Sequence, residues 1–323
     1  MFSTLYSFER SIKIALPAAQ VYEKISDLQF WPQWSPWLCL EPDSVYSADA
    51  NKSQVGQQLK WNGKIIGSGE MKIVALEQNK KVNMELQFLT PFKSQSLTSF
   101  ILEEQNGHTQ LTWTMQSSLP FFLFFLKKII SAMIGQDFER GLLMLKEILE
   151  TGSLPSQIKV QGQVHNEGFY YIGYKFQAPI NELGPPIQKA FNNLNTLVMQ
   201  KQIPSPEFAL NLCHRFDFVK NQCEITVALG YSHPTSLADT IAKDLGLEQG
   251  EVPKHTAYRV DHIGAYRFIR NAWASVMSRQ RVFKLKENKK IVPYEVYRTL
   301  PEDIISGRVA EKDYLTEVIV PLS

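Results

Sequence analysis

The chain has 323 residues, 44% of them hydrophobic and 20% charged, which is enough apolar material for two cores of about 150 residues each. Its formal net charge of +2 comes without a basic stripe or a reading helix, so no direct nucleic-acid binding is expected. Three cysteines, Cys39, Cys213 and Cys223, are an odd number without metal-type spacing and read as reduced thiols of a cytoplasmic protein.

Met1 to Arg10 lacks a charged segment followed by an apolar core, so no secretory signal is expected. Residues 6–15 alternate apolar and polar as a half-buried strand does. Pro17 ends that strand, and Ala18 to Leu28 reads as a short helix with Val21, Tyr22 and Ile25 on one face. The segment Phe30-Trp31-Pro32-Gln33-Trp34-Ser35-Pro36-Trp37 fits neither period. From about residue 40 to 116, turn signals at Asn62-Gly63, Gln78-Asn79-Lys80 and Asn106-Gly107 divide an antiparallel meander. Its strands are expected around Gln58–Trp61, Gly69–Gln78, Lys81–Leu89, Ser96–Glu103 and Gln110–Gln116. The apolar run Phe121–Leu126 reads as a cover for the open end of a cavity, with a greasy mouth that touches lipid as the alternative. The stretch Leu119–Ile134, interrupted by Lys127 and Lys128, falls short of a membrane span. A helical period follows through Phe138, Leu142, Leu145, Ile148 and Leu149.

Residues 150–157 hold Gly, Pro and Ser without periodicity, as a linker would, and the domain boundary is placed near residue 155. Beyond it the elements read as strand (Gly168–Gln177), helix (Pro185–Gln202) and hairpin (Glu207–Phe216 with Gln222–Tyr231). They then repeat as strand (Lys254–His262), helix (Tyr266–Arg281) and strand pair (Pro293–Arg298 with Leu315–Leu322), an internal duplication of strand, helix, strand, strand. Cys213 and Cys223 stand where a hairpin brings them face to face, which alone makes no bridge. The basic run Lys284 to Lys290 reads as a solvated loop.

Four pieces occur in order in the first half: Ser11-Ile12-Lys13-Ile14 leading to Pro17 and Val21-Tyr22; Trp31 to Trp37; Val55-Gly56-Gln57-Gln58-Leu59-Lys60-Trp61; and Gly67-Ser68-Gly69-Glu70-Met71-Lys72-Ile73. With Phe138-Glu139-Arg140-Gly141-Leu142 they resemble the SRPBCC group, which includes START-type lipid binders and polyketide cyclase-like proteins. The resemblance implies a helix-grip domain over residues 1–153, an antiparallel sheet around a long C-terminal helix with a ligand cavity between them. By residue type Trp34, Trp37, Trp61 and Met84 are the candidates to line that cavity, although a Trp in a Pro-bracketed loop also serves as a packing plug. Glu70 and Glu85 read as solvent-facing, and His108 lies in a turn without a nucleophile beside it.

In the second half, Thr256-Ala257-Tyr258-Arg259-Val260-Asp261-His262-Ile263-Gly264-Ala265-Tyr266 precedes a helix bearing Trp273. Pro293-Tyr294-Glu295-Val296-Tyr297 and the closing Thr316-Glu317-Val318-Ile319-Val320-Pro321-Leu322 complete a pattern that resembles the GyrI-like effector-binding module of AraC- and MerR-type regulators. It implies an effector-binding domain over residues 158–323, so that the whole chain is of the α+β class. Strand alternation makes Glu295 and Tyr297 project together, and a carboxylate among rings is costly to bury unless something positive meets it. By resemblance Glu295 is the cleft glutamate, and Tyr297, Tyr258, Tyr266, Trp273 and Tyr231 are candidates for the aromatic wall. The plainer readings of Glu295 are an edge residue in water or a partner of Arg259. His262 and Gly264 read as structural, with Gly264 turning the chain before the helix. The remaining histidines lack ligand spacing, so neither metal nor cofactor is expected.

These observations describe a binding protein for small hydrophobic or cationic aromatic ligands, without a membrane span or a DNA-binding domain of its own. Two alternatives remain. One is a hydrolase or cyclase acting on a small hydrophobic electrophile, with Glu295 as general base beside Tyr258. The other is a regulator component that acts through a partner.

Overall fold

The computed structural model describes residues 3–120, 127–299 and 307–323. They form two large antiparallel sheets with few helices, in two compact units, Met1–Leu154 and Pro155–Ser323.

The first unit begins with strand β1 (Ser3–Ile14) and helix α1 (Ala18–Ile25), whose first turn follows Pro17 and which buries Ala18, Val21 and Ile25. Strands β2 (Val45–Ala48), β3 (Gln58–Gly63), β4 (Gly67–Glu77), β5 (Lys81–Thr90), β6 (Ser94–Gln105) and β7 (His108–Pro120) form a meander that β1 closes, in the order β1-β7-β6-β5-β4-β3-β2. Asn79 and Asn106 take positive φ at the tight turns flanking β5 and β7, where a short polar side chain tolerates the left-handed conformation. Alternation along β7 turns Leu111, Trp113 and Met115 inward. Helix α2 (Lys127–Thr151) lies along β1 and β7 and buries Phe138, Leu142 and Leu145, spaced as one helical face requires. Trp113 and Phe138 stack with centroids 3.8 Å apart and planes 7° from parallel. The run Phe121–Leu126 lies outside the described residues.

The Trp31–Trp37 segment is fixed to α2 by polar contacts. Arg140, 5% exposed, donates from Nη2 to the Pro36 carbonyl at 2.8 Å and to Asp137 Oδ1 at 2.7 Å. Asp137 Oδ2 in turn accepts from Trp37 Nε1 at 3.2 Å. Short 3-10 turns at Trp31–Gln33 and Leu38–Leu40 explain why neither the helical nor the strand period fits this stretch.

The expected linker is shorter than its composition suggests, because α2 continues to Thr151 and strand β8 (Ser156–Asn166) starts two residues beyond Leu154. The second unit continues with β9 (Phe169–Pro179), helix α3 (Gly184–Met199), β10 (Phe208–Asp217), β11 (Gln222–Tyr231), the short helix α4 (Asp239–Asp244), β12 (Glu248–Val252), β13 (His255–Gly264), helix α5 (Arg270–Val282), β14 (Tyr294–Tyr297) and β15 (Leu315–Pro321). The sheet order is β12-β9-β11-β10-β14-β15-β13-β8. Helix α3 covers β9 and β11, and α5 covers β13 and β15. The central pair β10–β14 therefore runs between the two helices. Lys284 to Lys290 has no helix or strand and is largely exposed.

Gly264 ends β13 at φ +133°, and a Cβ there would lie 2.1 Å from the Pro155 carbonyl oxygen. Only glycine takes this conformation without strain. Gly264→Ala is expected to destabilise the fold by about 1–3 kcal/mol, read as a lower midpoint in urea unfolding.

Cys213 and Cys223 are free and do not face each other. Cys213 pairs with Ile225, and Cys223 pairs with Phe216 across a register shift in the β10–β11 hairpin. That shift corrects the face-to-face placement expected from spacing alone.

Candidate functional site

Glu295 sits in the middle of the second sheet, where the backbone register places Val227, Asn211, Glu295, Val318 and Val260 side by side on five adjacent strands. Direct cross-strand neighbours share a face. Val227 packs under α3 with Leu194, and Val318 and Val260 pack under α5 with Ala272 and Val276. Asn211 and Glu295 thus occupy the polar centre of an otherwise apolar row, between the two helices.

Glu295 is 7% exposed and meets three neutral donors. Trp273 Nε1 donates to Oε1 at 2.5 Å, Tyr297 Oη donates to Oε2 at 2.5 Å, and Asn211 Nδ2 donates to Oε2 at 3.2 Å. Asn211 Nδ2 also donates to Tyr297 Oη at 2.6 Å. Burial pushes the Glu295 carboxyl above its ordinary range, and the three hydrogen bonds oppose that shift without cancelling it. Tyr297 is pushed well up by burial and by the Glu295 carboxylate beside it. The Cys213 thiol, one residue pair along β10, is raised by burial and by the same carboxylate.

Arg259 is not the partner of Glu295. It lies on the opposite face beside Ile319 and bonds Asp261 at 2.6 Å and Glu317 at 3.0 Å. Glu317 also takes Arg298 at 2.9 Å. Two arginines and two carboxylates therefore balance one another there. Among the described residues, the hydrogen-bond partners of Glu295 are neutral.

The other expected wall residues divide by position. Tyr297 and Trp273 touch Glu295 directly. Tyr266 packs edge-on to Tyr297 with centroids 5.3 Å apart, and its other neighbour is Tyr314 at 5.1 Å. Tyr258 points to the same face but lies two strands away, in the cluster under α5 with Val320 and Trp273. Tyr231 is buried under α3 with its hydroxyl committed to the Pro204 carbonyl at 3.0 Å. Asn211, Phe191 (5.7 Å from the Tyr297 ring) and Phe216 (6.4 Å from the Trp273 ring) belong to the site and were not among the expected residues. An Asn within the apolar strand Ala-Leu-Asn-Leu-Cys was the available signal for the first.

His262 has a structural place. It is fully buried, its Nε2 lies 3.1 Å from Ser156 Oγ, and burial lowers its pKa to about 4. Among the described residues, no group of three or more His, Cys, Asp or Glu stands close enough to hold a metal ion. No helix among them is long and apolar enough to cross a membrane.

In the first unit a cavity of about 50 Å³ is lined by Trp31, Ser35, Trp37, Trp61, Met71, Phe88 and neighbouring leucines and Ile66. Trp61 crosses the face of Gly69, where a Cβ would strike its ring at 2.4 Å, and meets Phe88 edge-on at 6.0 Å. Trp37 and Trp61 thus reach the cavity. Trp34 and Met84 do not line it. Trp34 is 1% exposed against Trp31, Phe100 and Trp113, and Met84 is fully buried on β5. Both are core residues, since a sheet's inward face supplies more apolar side chains than the cavity wall uses. The cavity is far smaller than the roughly 300–1,000 Å³ of drug-sized sites, so a bound molecule must widen it. Glu70 stands 3.9 Å from Lys60, and Glu85 is exposed.

No curated protein matches the chain. Solved structures that resemble it include protein CV1439 from Chromobacterium violaceum (13% identity, 45% of this chain and 96% of that one, TM-score 0.35). Another is protein MLL2253 from Mesorhizobium loti (16% identity, 44% and 98%, TM-score 0.33). A third is the Aha1 dimer from Colwellia psychrerythraea (22% identity, 46% and 98%, TM-score 0.33). Residues 6–150 match the family described as polyketide cyclase / dehydrase and lipid transport.

Proposed function

We propose that this chain is a receptor for small hydrophobic molecules, built from a helix-grip domain over residues 1–153 and a GyrI-like effector-binding domain over residues 158–323. The first domain takes a neutral apolar or aromatic molecule. The family description of residues 6–150, lipid transport included, and the apolar lining of the cavity support that half. The second takes a cationic aromatic molecule at Glu295. Its duplicated origin is supported by the sheet order, which reads β9-β11-β10 and then, reversed, β14-β15-β13.

The observation that carries the reading is a buried carboxylate held by neutral donors, with no cation beside it among its described partners. Burial of an ionised carboxylate is costly unless a positive charge meets it. A hydrophobic cation supplies that charge, and Tyr297 and Trp273 supply rings. Calorimetric titration with tetraphenylphosphonium tests the assignment. Wild type is expected to bind it saturably, and Glu295→Gln to bind it far more weakly. Equal binding by both proteins removes Glu295 from the site.

The rival reading, Glu295 as general base of a hydrolase, draws on the same raised carboxyl. Tyr258 has no bond to Glu295, and Tyr297 holds the place beside it. Consumption of an electrophilic substrate that ceases in Glu295→Gln marks an enzyme, and binding without consumption marks a receptor.

A further inference from the structure

We infer that Asn211 sets the class of cation taken at Glu295: a protonated amine or amidine carrying at least two N–H groups, in preference to a quaternary ammonium. This rests on the proposed reading of Glu295 as a cation site.

Asn211 lies at the centre of β10, 2% exposed, as the direct cross-strand neighbour of Glu295. Its amide nitrogen faces both Tyr297 Oη and Glu295 Oε2, which stand 2.5 Å apart. Those contacts fix which way the amide faces, because turning it over would set its oxygen against the carboxylate. Oδ1 is left buried without any hydrogen-bond partner. Native proteins rarely leave such an acceptor unfilled.

The neighbouring donors are committed. Trp273 has its single N–H on Oε1, and Tyr297 has its hydroxyl proton on Oε2. A carboxylate offers about four lone-pair positions, so Oε1 keeps one open. What the cluster lacks is therefore donors, on two adjacent strands, next to a carboxylate whose charge is unmet. A primary ammonium or an amidinium supplies charge and N–H groups together, whereas a quaternary ammonium supplies charge alone. Trp273 is the half-buried member of the cluster, and the partly exposed Phe216 packs beside it. The apolar body of such a ligand has its place on that side.

The test is calorimetry on the full chain with a matched pair, 2-(1-naphthyl)ethylammonium and its N,N,N-trimethyl derivative, which share ring and charge. Wild type is expected to prefer the primary ammonium by about tenfold or more, the size of a hydrogen bond to a charged group. Asn211→Ala is expected to close that gap. If this variant fails to fold, the wild-type comparison still decides. Equal or tighter binding of the trimethyl compound, with both cations weakened by Glu295→Gln, overturns the role of Asn211 and leaves the cation site standing. Failure of both cations to bind, or indifference of both to Glu295→Gln, overturns the two together.

Discussion

Binding of a hydrophobic cation is expected to tighten with rising pH, by up to about tenfold per unit, until Glu295 is fully ionised in the free protein, and then to level off. The sign follows from burial. The free carboxyl sits above its ordinary range because desolvation outweighs three hydrogen bonds from neutral groups. At low pH the group is therefore neutral and offers a cation no charge. A bound cation favours the carboxylate, so binding releases a proton and gains from a rise in pH. In Glu295→Gln the pH dependence should vanish and the affinity fall by on the order of 30-fold or more, since truncating one partner of a buried charge pair costs about 2–5 kcal/mol. Titrations at several pH values, on both proteins, measure the slope and the loss together.

Trp113→Ala is expected to destabilise the first unit by about 3–5 kcal/mol, the usual range for removing a large buried aromatic side chain. Trp113 is 1% exposed and stacks flat on Phe138 of α2, while Trp31, Trp34, Trp37 and Phe100 surround it with centroids 5.1–5.8 Å away. Its Nε1 donates to Thr98 Oγ1 at 2.8 Å. Truncation empties the junction where sheet, helix and tryptophan loop meet. Trp113→Phe keeps the stack on Phe138 and loses mainly volume and one hydrogen bond, so it should cost distinctly less. Urea unfolding followed by tryptophan fluorescence suits the comparison, because Trp273 is the second unit's one tryptophan.

The meander of the first unit was legible because its signals are local. Gln78-Asn79-Lys80 and Asn106-Gly107 separate strands whose inward residues alternate, and register follows from such short turns. Asn62-Gly63, expected as a turn, instead pairs with Gly67 and Ser68 at the end of β3, and the turn falls on residues 64–66. Strand β8 was not legible. Its sequence, Ser-Gln-Ile-Lys-Val-Gln-Gly-Gln-Val-His-Asn, is mostly polar and exposed, and it pairs with β13 about a hundred residues away. Strand β12 is a five-residue edge with one buried side chain, too short for a periodic signal.

The candidate site was legible in part for the same physical reason. Alternation along β14 is local, and it placed Glu295 and Tyr297 on one face. Asn211 and Phe191 come from distant strands and helices, and nothing along the chain joins them to residue 295. Trp34 and Met84 illustrate the opposite difficulty. Residue type says that a side chain will be buried, but whether it faces a cavity or a neighbour is decided by packing from other elements.

The most direct measurement is an NMR titration of the Glu295 side-chain carboxyl in the full chain, with and without a hydrophobic cation. A midpoint above the ordinary glutamate value of about 4.3 that falls when the cation is added is the predicted result. A midpoint at or below that value, unmoved by the cation, would contradict the account.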